Sequence, residues 1–159
     1  MPAFQPPPHT VLDLDIAGRD ERFRVAPHPA APTFAFACEG GEGVVFQIVR
    51  ESTGARYALK VLRPAHQLPE LVLVSVRLRP FASLRGLRAC ERFCLDAAGS
   101  PRVWSSVPAL RYAMLIPWVE GPTWLDVVLA RRNISATLGA AVARSLAASL
   151  AGLEALGGS

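Results

Sequence analysis

Residues 33–62, T-F-A-F-A-C-E-G-G-E-G-V-V-F-Q-I-V-R-E-S-T-G-A-R-Y-A-L-K-V-L, decide how the chain folds. Three runs of apolar, β-branched and aromatic residues are separated by two turn signals, the glycine cluster E-G-G-E-G (39–43) and E-S-T-G (51–54). Apolar runs flanking such turns predict a three-stranded antiparallel meander. The glycine turn exposes backbone N–H groups and lets the main chain approach a phosphate closely. A Walker-type or dinucleotide loop would open a helix, whereas V-V-F-Q-I-V after Gly43 is strand in character, so both are excluded. A glycine-rich hairpin covering phosphates remains, and so does an ordinary tight turn.

Lys60 in the third run narrows the choice. Strand alternation puts Ala58 and Lys60 on one face and Leu59 and Val61 on the other. A cation pointing inward from a strand needs an anion or a solvent rim. Of the 17 basic residues 16 are Arg and only Lys60 is Lys, a compact ammonium on a flexible stem.

On both sides of the meander the sequence is more mixed. Half of the 14 prolines lie in residues 1–32. Proline removes a backbone donor and disfavours helix before it, which predicts a loosely structured Pro-rich leader. Within it, V-L-D-L-D-I (11–16) alternates as a short strand would. After Pro64, Leu71, Val74, Leu78 and Phe81 recur at helical spacing until Pro80 kinks or ends the helix. Residues 87–95 fit helix or strand. A-L-R-Y-A-M-L-I-P-W-V (109–119) predicts a buried strand that exits at Pro117. Residues 123–131 and 133–156 predict helices; in the second, Leu138, Val142, Leu146, Leu150 and Leu153 form an apolar face and Gly157 a stop.

A chain of 159 residues, 51% hydrophobic, can bury roughly two-thirds of its unfolded surface, which excludes wholesale disorder. The net charge is +4. Arg77, Arg79, Arg85, Arg88 and Arg92 lie close together as a solvated helix face would, and no aromatic ladder interleaves them, so nucleic acid is not an expected partner. Cys38, Cys90 and Cys94 lack paired zinc-site spacing, His9, His28 and His66 are isolated, and no metal site is expected. Cys90 and Cys94 could share a helix face as buried thiols. A reduced, cytoplasmic protein follows. The charge-free stretch 133–143 falls short of the roughly 20 residues that span a bilayer, and nothing in residues 1–10 suggests a secretory signal, so no membrane is expected.

Taken with their spacing, these motifs give residues 34–156 a resemblance to the first half of a protein-kinase domain. The family's G-x-G-x-x-G-x-V falls on Cys38, Gly40, Gly43 and Val45, with Cys38 in place of the first glycine, and the V-A-I-K lysine falls on Lys60 of Y-A-L-K. A-M-L-I-P-W-V-E-G (113–121) resembles the fifth strand and the hinge between lobes. The resemblance implies an α+β fold: an N-lobe of antiparallel sheet and a flanking helix (33–117), then the hinge and first two helices of an incomplete C-lobe (118–159), behind the leader (1–32). It implies that the backbone at Gly40, Gly41 and Gly43 covers the phosphates of Mg-ATP and Lys60 holds the α- and β-phosphates. Val45 and Ala58 would sandwich the adenine, Ile116 would be the gatekeeper, and the Pro117 carbonyl and Val119 N–H would face the adenine edge.

Two departures accompany it. The glutamate that usually pairs with the lysine would fall in S-V-R-L-R-P (75–80), which holds no acid; Glu70 comes too early and Glu91 late. Neither H-R-D nor D-F-G occurs, so no catalytic residue is assigned, and phosphoryl transfer, which needs those acids, is not expected of this chain alone. The resemblance therefore implies an ATP-binding module, the N-terminal portion of a Ser/Thr-kinase-like phosphotransferase. The alternatives are a pseudokinase-like module that binds a protein partner and a fragment of a kinase-fold enzyme acting on a small molecule. The unfinished lower lobe would leave Leu146, Leu150 or Leu153 exposed.

Overall fold

The alternation at residues 11–16 proves to be half of a hairpin. In the computed structural model, which describes residues 4–121, 127 and 135–157, β1 (Val11–Ile16) pairs antiparallel with β2 (Arg19–Val25) along its whole length. Ala17 and Gly18 make the turn, both with positive φ (51° and 77°), as a tight primed hairpin turn requires. Leu14, Ile16, Phe23 and Val25 are buried in the core. The strand expected at 11–16 is present, and the expectation of a loosely structured leader is corrected for residues 17–25, which contain no proline. β2 escaped notice because five of its seven residues, R-D-E-R-F-R-V, are charged and only Phe23 and Val25 turn inward.

Residues 26–32, the last part of the expected Pro-rich leader, contribute to a small two-stranded sheet of β3 (Pro27–His28) and β4 (Ala31–Ala35). The expected strand at 33–38 therefore divides, its first half joining β3 and its second becoming β5 (Ala37–Glu39). β6 (Gly43–Arg50) and β7 (Arg56–Leu62) complete the meander. β8 (Phe93–Cys94) and β9 (Met114–Pro117) extend it, giving a seven-stranded sheet in the order β1-β2-β6-β7-β9-β8, with β5 also on β6. β6 is shared lengthwise: Val44 to Phe46 pair with β5, and Ile48 to Arg50 with β2. The fold is mixed α+β with an antiparallel sheet and few helices.

Three helices are described. α1 (Glu70–Leu78) passes into a 3-10 turn at Arg79–Ser83 that contains Pro80, the break expected there. Its inward face centres on Ser75, 2% exposed, flanked by the half-buried Leu71 and Leu78 as the spacing predicts, whereas Val74 is 44% exposed and falls outside it. The ambiguous segment 87–95 becomes a 3-10 turn, Arg88–Cys90, followed by β8. Cys90 and Cys94 therefore share no helix, and the five arginines are spread over α1, two 3-10 turns and loops rather than one helical face. The Arg79 guanidinium stacks 4.7 Å over the Phe93 ring, using its planar cation on an aromatic surface. The expected strand at 109–119 is reduced to β9, because Pro108–Leu110 forms a 3-10 turn and Tyr112 takes a positive φ. The helix expected at 123–131 lies, apart from Val127, outside the described residues.

One face of the sheet makes the core. Phe46 and Ile48 on β6, Leu59 and Val61 on β7 and Leu115 on β9 pack with the β1–β2 hairpin and with Leu95, Val103 and Leu110. Val103 belongs to α2 (Pro101–Ser106), which β1 holds at its N-terminus. The Asp15 carboxylate, 7% exposed, accepts the Arg102 N–H at 2.9 Å and the Val103 N–H at 3.2 Å, and Ser100 Oγ–H donates to the Asp15 carbonyl. Those are N–H groups that the first turn of a helix leaves without an intrahelical partner. A cap supplied by a distant strand ties the hairpin to the core helix. Asp15→Ala is expected to lower stability by about 1–2 kcal/mol, read as a shifted urea midpoint; an unchanged midpoint would show that the cap carries no weight.

α3 (Ala136–Gly157) stands out from the rest. Its 136–155 stretch is 20 residues with mean hydropathy 1.4, and none of the most apolar window is buried. By length and composition alone it is long and apolar enough to cross a membrane. The charge-free stretch 133–143 understates this, since Arg144 alone barely lowers the average of an Ala- and Leu-rich helix. Leu138, Val142, Leu146 and Leu150 are all exposed, and Leu153 is half-buried. The recorded attachments lie at the 84–86 loop, where Ser149 Oγ donates to the Arg85 carbonyl at 3.0 Å and Gly152 sits against Leu84. So large an apolar surface favours association. Light scattering should report assemblies growing with concentration, and Leu146→Gln with Leu150→Gln should shift them toward monomer; a monomeric parent protein at high concentration would contradict this.

Candidate functional site

Register gathers the candidate residues. Cross-strand partners project to the same side of a sheet, and successive residues to opposite sides. Cys38 is opposite Val45, Val45 opposite Lys60, Lys60 opposite Met114, and Met114 opposite Cys94. The parallel row two residues along runs Gln47, Ala58, Ile116. Cys38, Val45, Ala58, Lys60 and Ile116 thus share the face turned away from Phe46, Leu59 and Leu115. Val45, Ala58, Lys60 and Ile116 are half-buried and Cys38 is exposed. Pro117 pairs with Tyr57 and points to the other face, where it is buried. Val119 is 62% exposed just past β9, after the Trp118 N–H bonds the Arg56 carbonyl at 3.0 Å. A cleft of about 400 Å³, lined in part by Phe36, Gln47, Arg56 and Trp118, opens beside the Gln47–Ala58 end of this face.

Gly40 and Gly41 lie in the β5–β6 turn and Gly43 opens β6, and the three differ in what they require. A β-carbon on Gly43 would collide with the Val61 carbonyl oxygen and lie 3.0 Å from the Leu62 Cα. Only glycine allows β6 and β7 to pair this closely at their first step. Gly41 has open space around it, and Gly40 meets nothing nearer than 3.9 Å. The Gly40 N–H closes the turn on the Gly43 carbonyl at 2.9 Å.

Two cations from the far end of β7 hold the turn. Arg63 bonds Glu39 Oε1 at 2.8 Å and the Gly41 carbonyl at 2.9 Å through its guanidinium, and its backbone N–H donates to the Glu42 carbonyl at 2.8 Å. Lys60 Nζ donates to Glu42 Oε2 in an ion pair, with 26% of the lysine side chain and 61% of the glutamate exposed. The recorded partner of Lys60 is therefore a glutamate of the glycine turn. Glu70, the first residue of α1, and Glu91 are both exposed. The hydrogen bond from Lys60, then its charge, hold the Glu42 carboxyl below its ordinary value, with His66 adding a weaker pull in the same direction and desolvation opposing. A depressed carboxyl pKa means that this pair is fully formed at neutral pH and is lost only as pH falls below the usual carboxylate range.

Glu42, Glu39 and Arg63 escaped the reading of the sequence. The available signal was two acids within a glycine turn facing a strand that carries the chain's one lysine. Met114, on the Lys60 row, was likewise passed over. The Cys94 thiol at the end of that row is pushed up to about 12, chiefly by burial and further by Asp96, which leaves it protonated and unreactive at neutral pH. Cys38, Cys90 and Cys94 are all free thiols. Among the described residues no cluster of three or more His, Cys, Asp or Glu could hold a metal ion. The clefts include one of about 290 Å³ lined in part by Phe4, Val44, Val61 and Pro108, across the sheet from Lys60.

No protein-family model, curated protein or solved structure matches the chain.

The glycines provide a direct test of the turn. Gly43→Ala should cost about 1–3 kcal/mol, as forced overpacking does, whereas Gly41→Ala should stay within about 0.5 kcal/mol, as at an open surface site. Equal effects in chemical denaturation would contradict the close approach of β6 and β7.

Proposed function

We propose that this chain is an ATP-binding, protein-kinase-like module, the N-terminal portion of a Ser/Thr-kinase-like phosphotransferase. Its nucleotide is Mg-ATP. The observation that carries this reading is the register that aligns Val45, Ala58, Lys60 and Ile116 on one sheet face beside a glycine-rich turn. An apolar strip of that kind accepts a purine, and a lysine at one end beside an exposed glycine turn complements phosphate. The cleft bordered by Gln47 and Trp118 extends the strip at the end where the adenine edge would meet Pro117 and Val119. The chain has no H-R-D or D-F-G, so phosphoryl transfer would draw on groups beyond those in hand. The free thiols are consistent with a reducing, cytoplasmic setting.

A second reading is a pseudokinase-like module that binds a protein partner. It is favoured by the pairing of Lys60 with Glu42 and by the exposed Leu73, Val74 and Val76 of α1. Thermal unfolding with and without Mg-ATP separates the two. At 100 times its dissociation constant a ligand adds about 2.7 kcal/mol of stability, so the nucleotide reading predicts a clear rise in Tm that Lys60→Ala abolishes. No rise at millimolar Mg-ATP, or a rise unchanged in Lys60→Ala, would overturn it.

A further inference from the structure

The Lys60–Glu42 pair sets the terms on which any anion can reach this site. We propose that Glu42 is an affinity-determining residue of the Lys60 site: its carboxylate occupies the lysine in the free protein, and a polyphosphate binds by displacing it. The inference rests on the nucleotide-binding reading and adds how that site discriminates among ligands.

The geometry gives Glu42 this role in three ways. It lies in the glycine turn, between Gly41 and Gly43, so the carboxylate that meets the Lys60 ammonium comes from the segment that this reading assigns to phosphate. The turn is held in that position by bonds independent of the carboxylate, namely Arg63 to Glu39 and to the Gly41 carbonyl, and the Arg63 N–H to the Glu42 carbonyl. Removing the Glu42 charge therefore frees Lys60 without releasing the turn. Finally, 61% of the Glu42 side chain is exposed, so rotation into water can clear the site with little loss of packing.

The consequence is selective. A triphosphate or pyrophosphate must replace the Glu42–Lys60 contact and then lie close to the displaced carboxylate, which repels it. An uncharged nucleoside using only the Val45–Ala58–Ile116 strip meets neither obstacle. The native protein therefore discriminates against phosphates relative to a protein without this charge.

Titration calorimetry of the full chain with Mg-ATP, inorganic pyrophosphate and adenosine tests this. Glu42→Gln should tighten Mg-ATP and pyrophosphate about tenfold, the combined effect of one ion pair lost and one like-charge contact removed, and leave adenosine unchanged. Glu39→Gln removes an equal charge from the same turn but from Arg63, and should change phosphate affinity less than about threefold. Phosphate affinity unchanged or weakened in Glu42→Gln, with the native protein still binding Mg-ATP, would overturn the role of Glu42 and leave the nucleotide reading standing. Equal tightening in Glu39→Gln would reduce the effect to net charge and overturn it too. Failure of all three ligands to bind any variant would overturn the nucleotide reading, and this inference with it.

Discussion

β6 and β7 approach each other at Gly43 more closely than any residue with a β-carbon allows, and the arrangement of both faces of the sheet follows from that contact. Fixing Gly43 opposite Leu62 sets Val45 against Lys60 and Gln47 against Ala58. A slip of one residue would exchange the two faces, sending Phe46 and Ile48 to the outer side and Val45 and Gln47 to the core. The buried face could not tolerate that, because Phe46, Ile48 and Leu59 are each at most 4% exposed. Steric necessity at one glycine and hydrophobic burial on one face therefore specify the same register. The lysine and its apolar neighbours are aligned as a by-product of making a core.

What covers that core is secured from a distance. Asp15, on the far hairpin, bonds the N–H groups of Arg102 and Val103, and Val103 fills the space above the sheet. A buried carboxylate is tolerated here because helix N–H groups satisfy it and the helix dipole favours negative charge. The first hairpin is thus part of the folding unit, while the glycine turn at the opposite end of β6 is held by exposed ion pairs from Lys60 and Arg63. Exposed pairs contribute little to stability, so the turn is tied to the sheet less firmly than the hairpin is.

The sequence disclosed those features whose signal is local. The glycine cluster, the turn at 51–54, the alternation of Y-A-L-K-V-L and the break at Pro80 all correspond to elements at the expected positions. Features that depend on distant partners were hidden. β2 is charged at five of seven positions and reads as loop until β1 and β6 flank it. Ser75, a polar residue, lies at the centre of the inward face of α1 between Leu71 and Leu78, so apolar spacing found the face but missed its most buried member. At the site, the lysine and the glycines were legible from residue type and order. The Glu42 pair was not, because a turn glutamate gives no sign of which cation it will meet across a hairpin.

Amide chemical-shift mapping of the isotope-labelled protein with a non-hydrolysable Mg-ATP analogue tests the central claim, that one sheet face and its glycine turn form a nucleotide site. The account predicts saturable shifts at the turn (40–45), at Ala58 and Lys60, and at Ile116 and Val119, with β1 and α2 unaffected. Shifts confined to the cleft of Phe4, Val44 and Pro108 on the other face, or none at all, would contradict it.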